Sequence, residues 1–231
     1  MTLFDQYAYP PNELGYCGPT EGADAFGLAA HAKEFDGAWP YLTAIAEAIG
    51  ASDPLDDEVV RSYWVGGPAL TKVDPAALLN RLHTSFTGQV TGLLDALEPG
   101  PGVLAHHSFH VLVVYPWIRF LDRNAATALS VMQDCRIRSG TVESVDGQHA
   151  VITSSPLRLT GNRLTLGDPR PERVQWKKGE LSLAPEPPRG SSVAAHWNWV
   201  CATLDADQHA ALEAATQTTL DLVNTLRGDR E

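Results

Sequence analysis

The sequence predicts an α+β protein, with a helical N-terminal region in residues 1–130 and a small OB-like β-barrel with a C-terminal helix in residues 131–231. Two observations support this fold class. Before residue 130, apolar side chains recur at spacings of three and four, which is the period of one helix face. After residue 134, short segments alternate apolar and polar side chains between turn sequences, a pattern typical of strands.

Three helices are predicted along the N-terminal region. The first begins at Pro40 and ends before Gly50, because proline suits the first helical position and glycine the position just beyond the end. Asp53-Pro54 opens the second, which ends at the Gly-Gly-Pro sequence of residues 66–68. The third begins at Asp74-Pro75 and ends at the Pro-Gly sequence of residues 98–102. Its apolar stripe consists of Leu78, Leu79, Leu82, Phe86, Val90, Leu93, Leu94 and Leu97.

Short strands and a final helix are predicted in the C-terminal region. The strands cover residues 137–145, 150–153, 157–159, 163–166 and 173–176, and glycine-containing turns separate them. Strands of this length with tight turns favour a small closed barrel of the OB kind. Asp205 is the predicted N-cap of the last helix, with Gln208 three residues later. The apolar face of that helix consists of Leu212, Ala215, Thr219, Leu222, Val223 and Leu226.

The composition narrows the class of partner. A net charge of −11 argues against a nucleic-acid partner, which needs clustered lysine and arginine. No apolar run approaches the ~20 residues that span a bilayer, and the N-terminus lacks the pattern of a signal peptide, so we expect no membrane partner. The 3 cysteines lie far apart and make an odd count, which indicates reduced thiols and a cytoplasmic location.

Three short motifs occur in order within residues 135–147, 190–196 and 204–205. The first reads C-x4-G-x-V-x2-V-D-G and begins at Cys135; the second reads G-x2-V-x2-H and ends at His196. The third is Leu204-Asp205, directly before the predicted last helix. Together they resemble the HypC/HupF family of [NiFe]-hydrogenase maturation chaperones over roughly residues 131–226.

This resemblance implies a carrier without turnover of its own. The family's cysteine holds an iron centre with cyanide and carbon monoxide, shared with a partner called HypD. Cys135 is then the exchangeable thiolate ligand and His196 lies beside it, so that a transient Fe(CN)2CO unit passes to a hydrogenase large-subunit precursor. Arg136 and Arg138 are expected to favour the thiolate. In HypC the cysteine directly follows the initiator methionine, whereas here 134 residues precede it. A buried structural cysteine and a core histidine are the alternative interpretations of this pair.

A second group of candidate ligands lies in the N-terminal region. Cys17 occurs in the tight-turn sequence Leu-Gly-Tyr-Cys-Gly-Pro, and His106, His107 and His110 follow the Pro-Gly sequence. On a helix, His106 and His110 share one face and form a usable metal pair, although polar packing explains the cluster equally well. These segments, with Tyr115-Pro-Trp, also resemble a family of actinobacterial proteins often encoded near hydrogenase genes.

Three alternatives therefore stay open at this point. The chain is an iron carrier that uses Cys135 and His196, a metal-dependent enzyme that uses the N-terminal group at a site between the two regions, or a docking subunit for a hydrogenase without metal. A further hypothesis places all the candidates at one shared site: Cys17, His106, His107, His110, Cys135 and His196.

Overall fold

A computed structural model describes residues 1–19 and 25–228 of the chain. Within these ranges the chain forms seven helices joined by short 3-10 turns. The fifth begins as a single α-helical turn and continues as a π-helical turn over His110–Val114. The helices are α1 (Leu3–Glu13), α2 (Trp39–Ile49), α3 (Asp57–Trp64), α4 (Pro75–Ser85), α5 (His107–Phe109), α6 (Ala125–Cys135) and α7 (Ala206–Gly228).

The strands of the described residues all follow α6. They are β1 (Arg138–Asp146), β2 (His149–Ser154), β3 (Leu157–Thr160), β4 (Arg163–Leu166), β5 (Arg170–Gln175), β6 (Lys177–Lys178), β7 (Leu181–Ser182), β8 (Ser192–His196) and β9 (Trp199–Leu204). Five of them close into a barrel in the order β1-β2-β5-β9-β8, and β5 meets β9 in parallel at Gln175 and Trp199. The α+β class, with a small closed barrel and a C-terminal helix, is confirmed.

Helix ends follow the predicted signals where a glycine or a cap fixes them. Gly50 adopts a left-handed φ of 74° at the end of α2, as predicted. The second helix begins later than predicted, because Asp56 rather than Asp53 accepts the backbone N–H that caps it. The third predicted helix is too long: α4 ends at Ser85, and Gly88 with a φ of 78° turns the chain away. Val90, from the predicted stripe, is 70% exposed.

The last helix has the predicted capping box. The Gln208 backbone N–H donates to the Asp205 carboxylate, and the Asp205 backbone N–H donates to the Gln208 side chain. Leu212, Ala215, Thr219 and Val223 of its predicted apolar face are buried, whereas Leu222 and Leu226 are half-buried. These contacts place α7 against the barrel and the helical region.

Two cores stabilise the fold. The smaller one fills the barrel with Val142, Ala150, Ile152, Val174, Val193, Ala195 and Val200. The larger one is continuous across residue 130 and combines side chains of α1–α6 with others from β8, β9 and α7. The barrel begins at Arg138, next to its predicted start, while the division into domains at residue 130 stays a prediction. In the part of the chain that is described, no helix is long and apolar enough to cross a membrane.

Candidate metal centre

Three buried donors meet where the helical region packs on the barrel. His107 begins α5, Cys135 ends α6, and His196 ends β8. One donor atom from each lies within 4.8 Å of the other two. Metal bonds of about 2.0–2.3 Å would hold such donors roughly 3.5 Å apart, so a small inward movement brings all three onto one ion.

The tautomer of His196 is set by the backbone of α1. Its Nδ1 lies 2.8 Å from the carbonyl oxygen of Tyr7, which can only accept, so Nδ1 carries the proton. In a regular helix that carbonyl would accept the N–H of residue 11, but Pro11 has none. Nε2 is therefore the unprotonated atom, and it is buried without a hydrogen-bond partner among residues 1–19 and 25–228. An imidazole held through one nitrogen, with the other free, is the usual form of a metal ligand.

His107 is held in a similar way. Its Nε2 lies 2.9 Å from the carbonyl oxygen of Cys135 and donates to it, which leaves a lone pair on Nδ1. The Tyr63 hydroxyl lies 2.9 Å from this Nδ1, but it also contacts the Gly37 carbonyl and has only one proton to donate. Both ring nitrogens of His107 therefore face a protein oxygen, so one of these two contacts has to be released before His107 binds an ion.

Burial keeps the thiol and the imidazoles of this cluster uncharged. It raises the pKa of Cys135 well above its usual value, and the nearby Cys17 and Asp134 raise it further. Burial lowers the pKa of His196 to about 3, and the pKa of His107 lies well below its usual value for the same reason. A metal ion would therefore meet two neutral imidazoles and would displace the thiol proton.

The flanking arginines do not have the predicted effect on the cysteine. Arg138 pairs with Glu172 at 2.8 Å and donates to the Trp197 carbonyl. Arg136 donates to the Ser155 carbonyl at 2.6 Å. Both guanidinium groups are thus engaged elsewhere, and the pKa of Cys135 is raised rather than lowered. The expectation that these two arginines favour the thiolate is wrong.

A small cavity joins the cluster to two more of the predicted ligands. Its volume is about 20 Å³, which is room for about one water molecule. Cys17 and His110 line it together with the three donors. His110 Nδ1 lies 3.2 Å from the Tyr41 hydroxyl, and burial lowers the pKa of His110 to about 4. Five of the six candidate residues therefore surround one cavity.

His106 is the sixth candidate, and the structure directs it elsewhere. It precedes α5 with an extended backbone, and its Nδ1 accepts the Ser108 N–H at 3.0 Å. Because it is the N-cap of that helix, it does not share a helix face with His110 as predicted. The predicted pair of His106 and His110 is therefore wrong; His107 and His110 are the two that reach the cavity.

Sequence reasoning missed the groups that hold these ligands in place. Tyr41 and Tyr63 have no predicted role, yet each places its hydroxyl on a site histidine. The one available signal was a phenol within an apolar helix face, since a buried tyrosine hydroxyl normally finds a partner. Pro11 was missed because its effect depends on a strand that follows much later in the chain.

An open pocket adjoins the inner cavity and leads to solvent. Its volume is about 420 Å³. Cys17, Gly37, His110 and Tyr115 line both spaces and form the wall between them. We call this open pocket the vestibule. Its other lining residues are Gly15, Tyr16, Gly18, Glu34, Asp36, Phe86, Gln89, Val90, Thr91, Val114 and Pro116.

The donor set fits a borderline or soft divalent ion. One thiolate and two imidazoles suit iron, cobalt, nickel, copper or zinc, and do not suit magnesium or calcium, which prefer oxygen ligands. Three protein ligands leave at least one coordination position open, as in sites that exchange or activate a ligand. Trp64 covers the cluster on one side, with its ring centroid 4.4 Å from that of His107.

The fold and the site define the class of protein: a helical region joined to a closed barrel, with a buried cluster of two imidazoles and one thiol between them. The family described as "Family of unknown function (DUF6390)" matches residues 1–230, and the chain belongs to that family. No curated protein and no solved structure matches the chain with significance. Because the match spans the helical region and the barrel, both belong to one family architecture.

Proposed function

We propose that the protein is a metal-carrying accessory protein of [NiFe]-hydrogenase maturation, which holds iron through Cys135, His107 and His196 and delivers it to a large-subunit precursor. The main support for this proposal is the short distance between the donor atoms of Cys135 and His196. These are the two residues singled out by the HypC-like motifs, and they come from different ends of the barrel sequence. Their donor atoms nevertheless lie within 4.8 Å of each other.

The helical region gives the proposal a second support. In the HypC family a separate partner shares the iron, whereas here His107 of α5 adds a third donor from the same chain. In the described part of the chain, the Nε2 of His196 has no hydrogen bond that an ion would have to break. The helical region thus takes over part of the role that HypD has in that family. The three free thiols agree with a cytoplasmic location.

The size of the cargo sets a further condition. The inner cavity of about 20 Å³ holds about one water-sized group. An Fe(CN)2CO unit has three diatomic ligands, so it requires part of the vestibule as well. In the proposed state, Cys17 and His110 at the shared wall lie beside those ligands. A HypD-like scaffold and the large-subunit precursor are the proposed partners at this opening.

A metal-dependent enzyme is the second candidate function. The vestibule of about 420 Å³ has the size of a small-molecule site and opens directly beside the donors. In this alternative the ion stays in the protein and a small substrate is converted in the vestibule. The two functions differ in the fate of the metal, which leaves a carrier but remains in an enzyme.

Anaerobic co-expression with the enzymes that attach cyanide tests the carrier. The purified protein is expected to contain iron and to show cyanide and carbonyl stretching bands in its infrared spectrum. Cys135→Ala is expected to lose the bands, since no other soft anionic donor lies in the cluster. Cys201→Ala is the matched control, because Cys201 is buried but does not line the cavity.

The remaining outcomes separate the alternatives. Bands that survive in Cys135→Ala would contradict the proposed role of the thiolate. Iron that stays bound during incubation with a large-subunit precursor would favour the enzyme. Unchanged hydrogenase activity in cells that lack the protein would exclude a role in maturation. A protein that binds the precursor but never contains metal would favour the docking subunit.

A further inference from the structure

Cys17 occupies a position that the three donors of the cluster do not. It lines both the inner cavity and the vestibule, and it is half-buried. Cys135 and His196, by contrast, are 4% and 0% exposed and do not line the vestibule. Among the described residues, Cys17 is not one of the donors that lie mutually within 4.8 Å. Its thiol therefore lies on the route between solvent and the cluster.

The loop around Cys17 holds this thiol in place. Asn12, near the end of α1, donates its side-chain N–H groups to the carbonyls of Cys17 and Pro19 at 2.8 and 3.0 Å. Gly18 adopts a left-handed φ of 82°, and a Cβ there would meet the Phe35 ring at 2.3 Å. Only glycine fits both conditions, so the turn fixes Cys17 against the cavity wall.

The charges of the vestibule suit a cation. Among the described residues that line it, two carry carboxylates, Glu34 and Asp36, and none is a lysine or an arginine. His110 is uncharged at neutral pH, because burial lowers its pKa to about 4. Such an opening attracts a divalent ion and repels an anionic complex.

We propose that Cys17 is an exchange ligand, which captures a divalent metal ion in the acidic vestibule and passes it to the cluster of His107, Cys135 and His196. This inference rests on the proposed function, because it assigns a route to the same site. It adds that the ion arrives without its diatomic ligands, because the acidic vestibule favours a bare divalent cation.

The exchange conserves protons and charge. The bond from the ion to the Cys17 sulfur forms as the thiol proton leaves to water. That bond breaks when Cys135 binds the ion and loses its own proton, and the released Cys17 thiolate then takes a proton from water. One proton is released for each ion bound at the end. The oxidation state of the ion does not change, so no oxidant or reductant is needed.

An exchange ligand has a kinetic signature that a resident ligand lacks. It lowers the free-energy barrier for both loading and release of the ion, and it is not bonded to the ion at equilibrium. Its removal therefore slows loading and release by the same factor and leaves the dissociation constant unchanged. Removal of a resident ligand instead weakens the equilibrium affinity.

Stopped-flow loading with Co²⁺ alone tests the proposal on the full chain, because a cobalt–thiolate bond gives an ultraviolet charge-transfer band. Cys17→Ser is expected to slow both loading and release about tenfold, with a dissociation constant within about threefold of the wild-type value. Cys17→Ala repeats the test without a hydroxyl group. Cys201→Ala is the control, because its thiol lies outside both spaces, and it is expected to keep both rates.

The outcomes distinguish this proposal from the proposed function. If the wild-type protein binds neither Co²⁺ nor Fe²⁺, the proposed function fails and the exchange role fails with it. If it binds the ion and Cys17→Ser keeps both rates, only the exchange role is overturned. A tenfold or greater loss of affinity in Cys17→Ser, with two protons released per ion in the wild type, would make Cys17 a resident ligand and would also overturn it.

Discussion

Acidification from pH 7 to pH 5 is expected to destabilise the metal-free protein strongly. The cause is a group of four buried histidines, of which His106, His107 and His196 are at most 5% exposed and His110 is 8% exposed. Burial lowers the pKa of His106 and His110 to about 4 and that of His196 to about 3, and it lowers the pKa of His107 well below its usual value. The unfolded chain binds protons at its histidines near pH 6.5. Below that pH it binds more protons than the native state, so stability falls as the pH falls.

The size of the effect follows from these values. Each histidine with a native pKa of about 4 or less lowers the free energy of unfolding by about 2 kcal/mol between pH 7 and pH 5. Three such residues, His106, His110 and His196, together lower it by about 6 kcal/mol, which approaches the whole stability of an ordinary domain, about 5–15 kcal/mol, and His107 contributes in the same direction. The contribution of the neutral histidines to stability is fully present above pH 6.5 and is lost progressively below that pH. A bound metal ion would oppose the loss, because it occupies the same nitrogen lone pairs.

Urea unfolding at pH 7, 6 and 5 measures this dependence. The free energy of unfolding is expected to fall with a slope that corresponds to the uptake of about three protons or more near pH 5. His110→Gln is expected to reduce the slope by about one proton. His83→Gln is the control, because the His83 side chain is 46% exposed and does not belong to the buried group. A total loss below about 2 kcal/mol would refute the reasoning, since it would mean that these imidazoles already take up protons in the native state.

Four further outcomes are expected. Pro11→Ala supplies a backbone N–H that competes with His196 for the Tyr7 carbonyl, so it is expected to weaken Co²⁺ affinity roughly tenfold in a spectroscopic titration. Pro10→Ala is the control and should leave the affinity unchanged. Equal affinities of the two variants would contradict the proposed effect. In Gly37→Ala a Cβ would lie 2.7 Å from His110 Nε2, so urea unfolding should show a loss of about 1–3 kcal/mol, and no loss would mean that the imidazole moves freely. Asn224→Ala removes two 2.8 Å bonds to the backbone of β4 and should cost about 2–4 kcal/mol in thermal unfolding; a change below about 0.5 kcal/mol would show that water replaces them. Metal affinity should rise about tenfold per pH unit between pH 6.5 and 8.5, because the imidazoles are already neutral and one thiol must lose its proton; a pH-independent affinity would exclude the thiolate.

The parts of the fold that local signals determine could be predicted from the sequence. Gly50 ended α2 as expected, and the pair of Asp205 and Gln208 began α7. The barrel followed from alternating segments with glycine turns. The third helix was predicted too long because an apolar period of three and four continued past Ser85, where Gly88 already turns the chain. Periodicity alone does not distinguish a helix from buried residues of a 3-10 turn.

Of the candidate metal centre, only the donor residues could be predicted from the sequence. Motif spacing selected Cys135 and His196, and the N-terminal cluster supplied Cys17, His107 and His110. The tautomers and partners depend on contacts between residues far apart in the chain. Tyr63 and His107 are 44 residues apart, and Tyr7 and His196 are 189 residues apart. No local period or spacing carries information about such pairs.

The hydrogen bond from His196 to the Tyr7 carbonyl has a consequence for how this family can vary. Because the acceptor belongs to the main chain, any residue at position 7 preserves it. The sensitive position is Pro11, where every other amino acid brings back an N–H for the same carbonyl. An alignment alone would treat this proline as a poor helix residue with no role. We expect it to covary with the histidine: lineages that lose the imidazole are free to lose the proline, and those that keep the imidazole retain both.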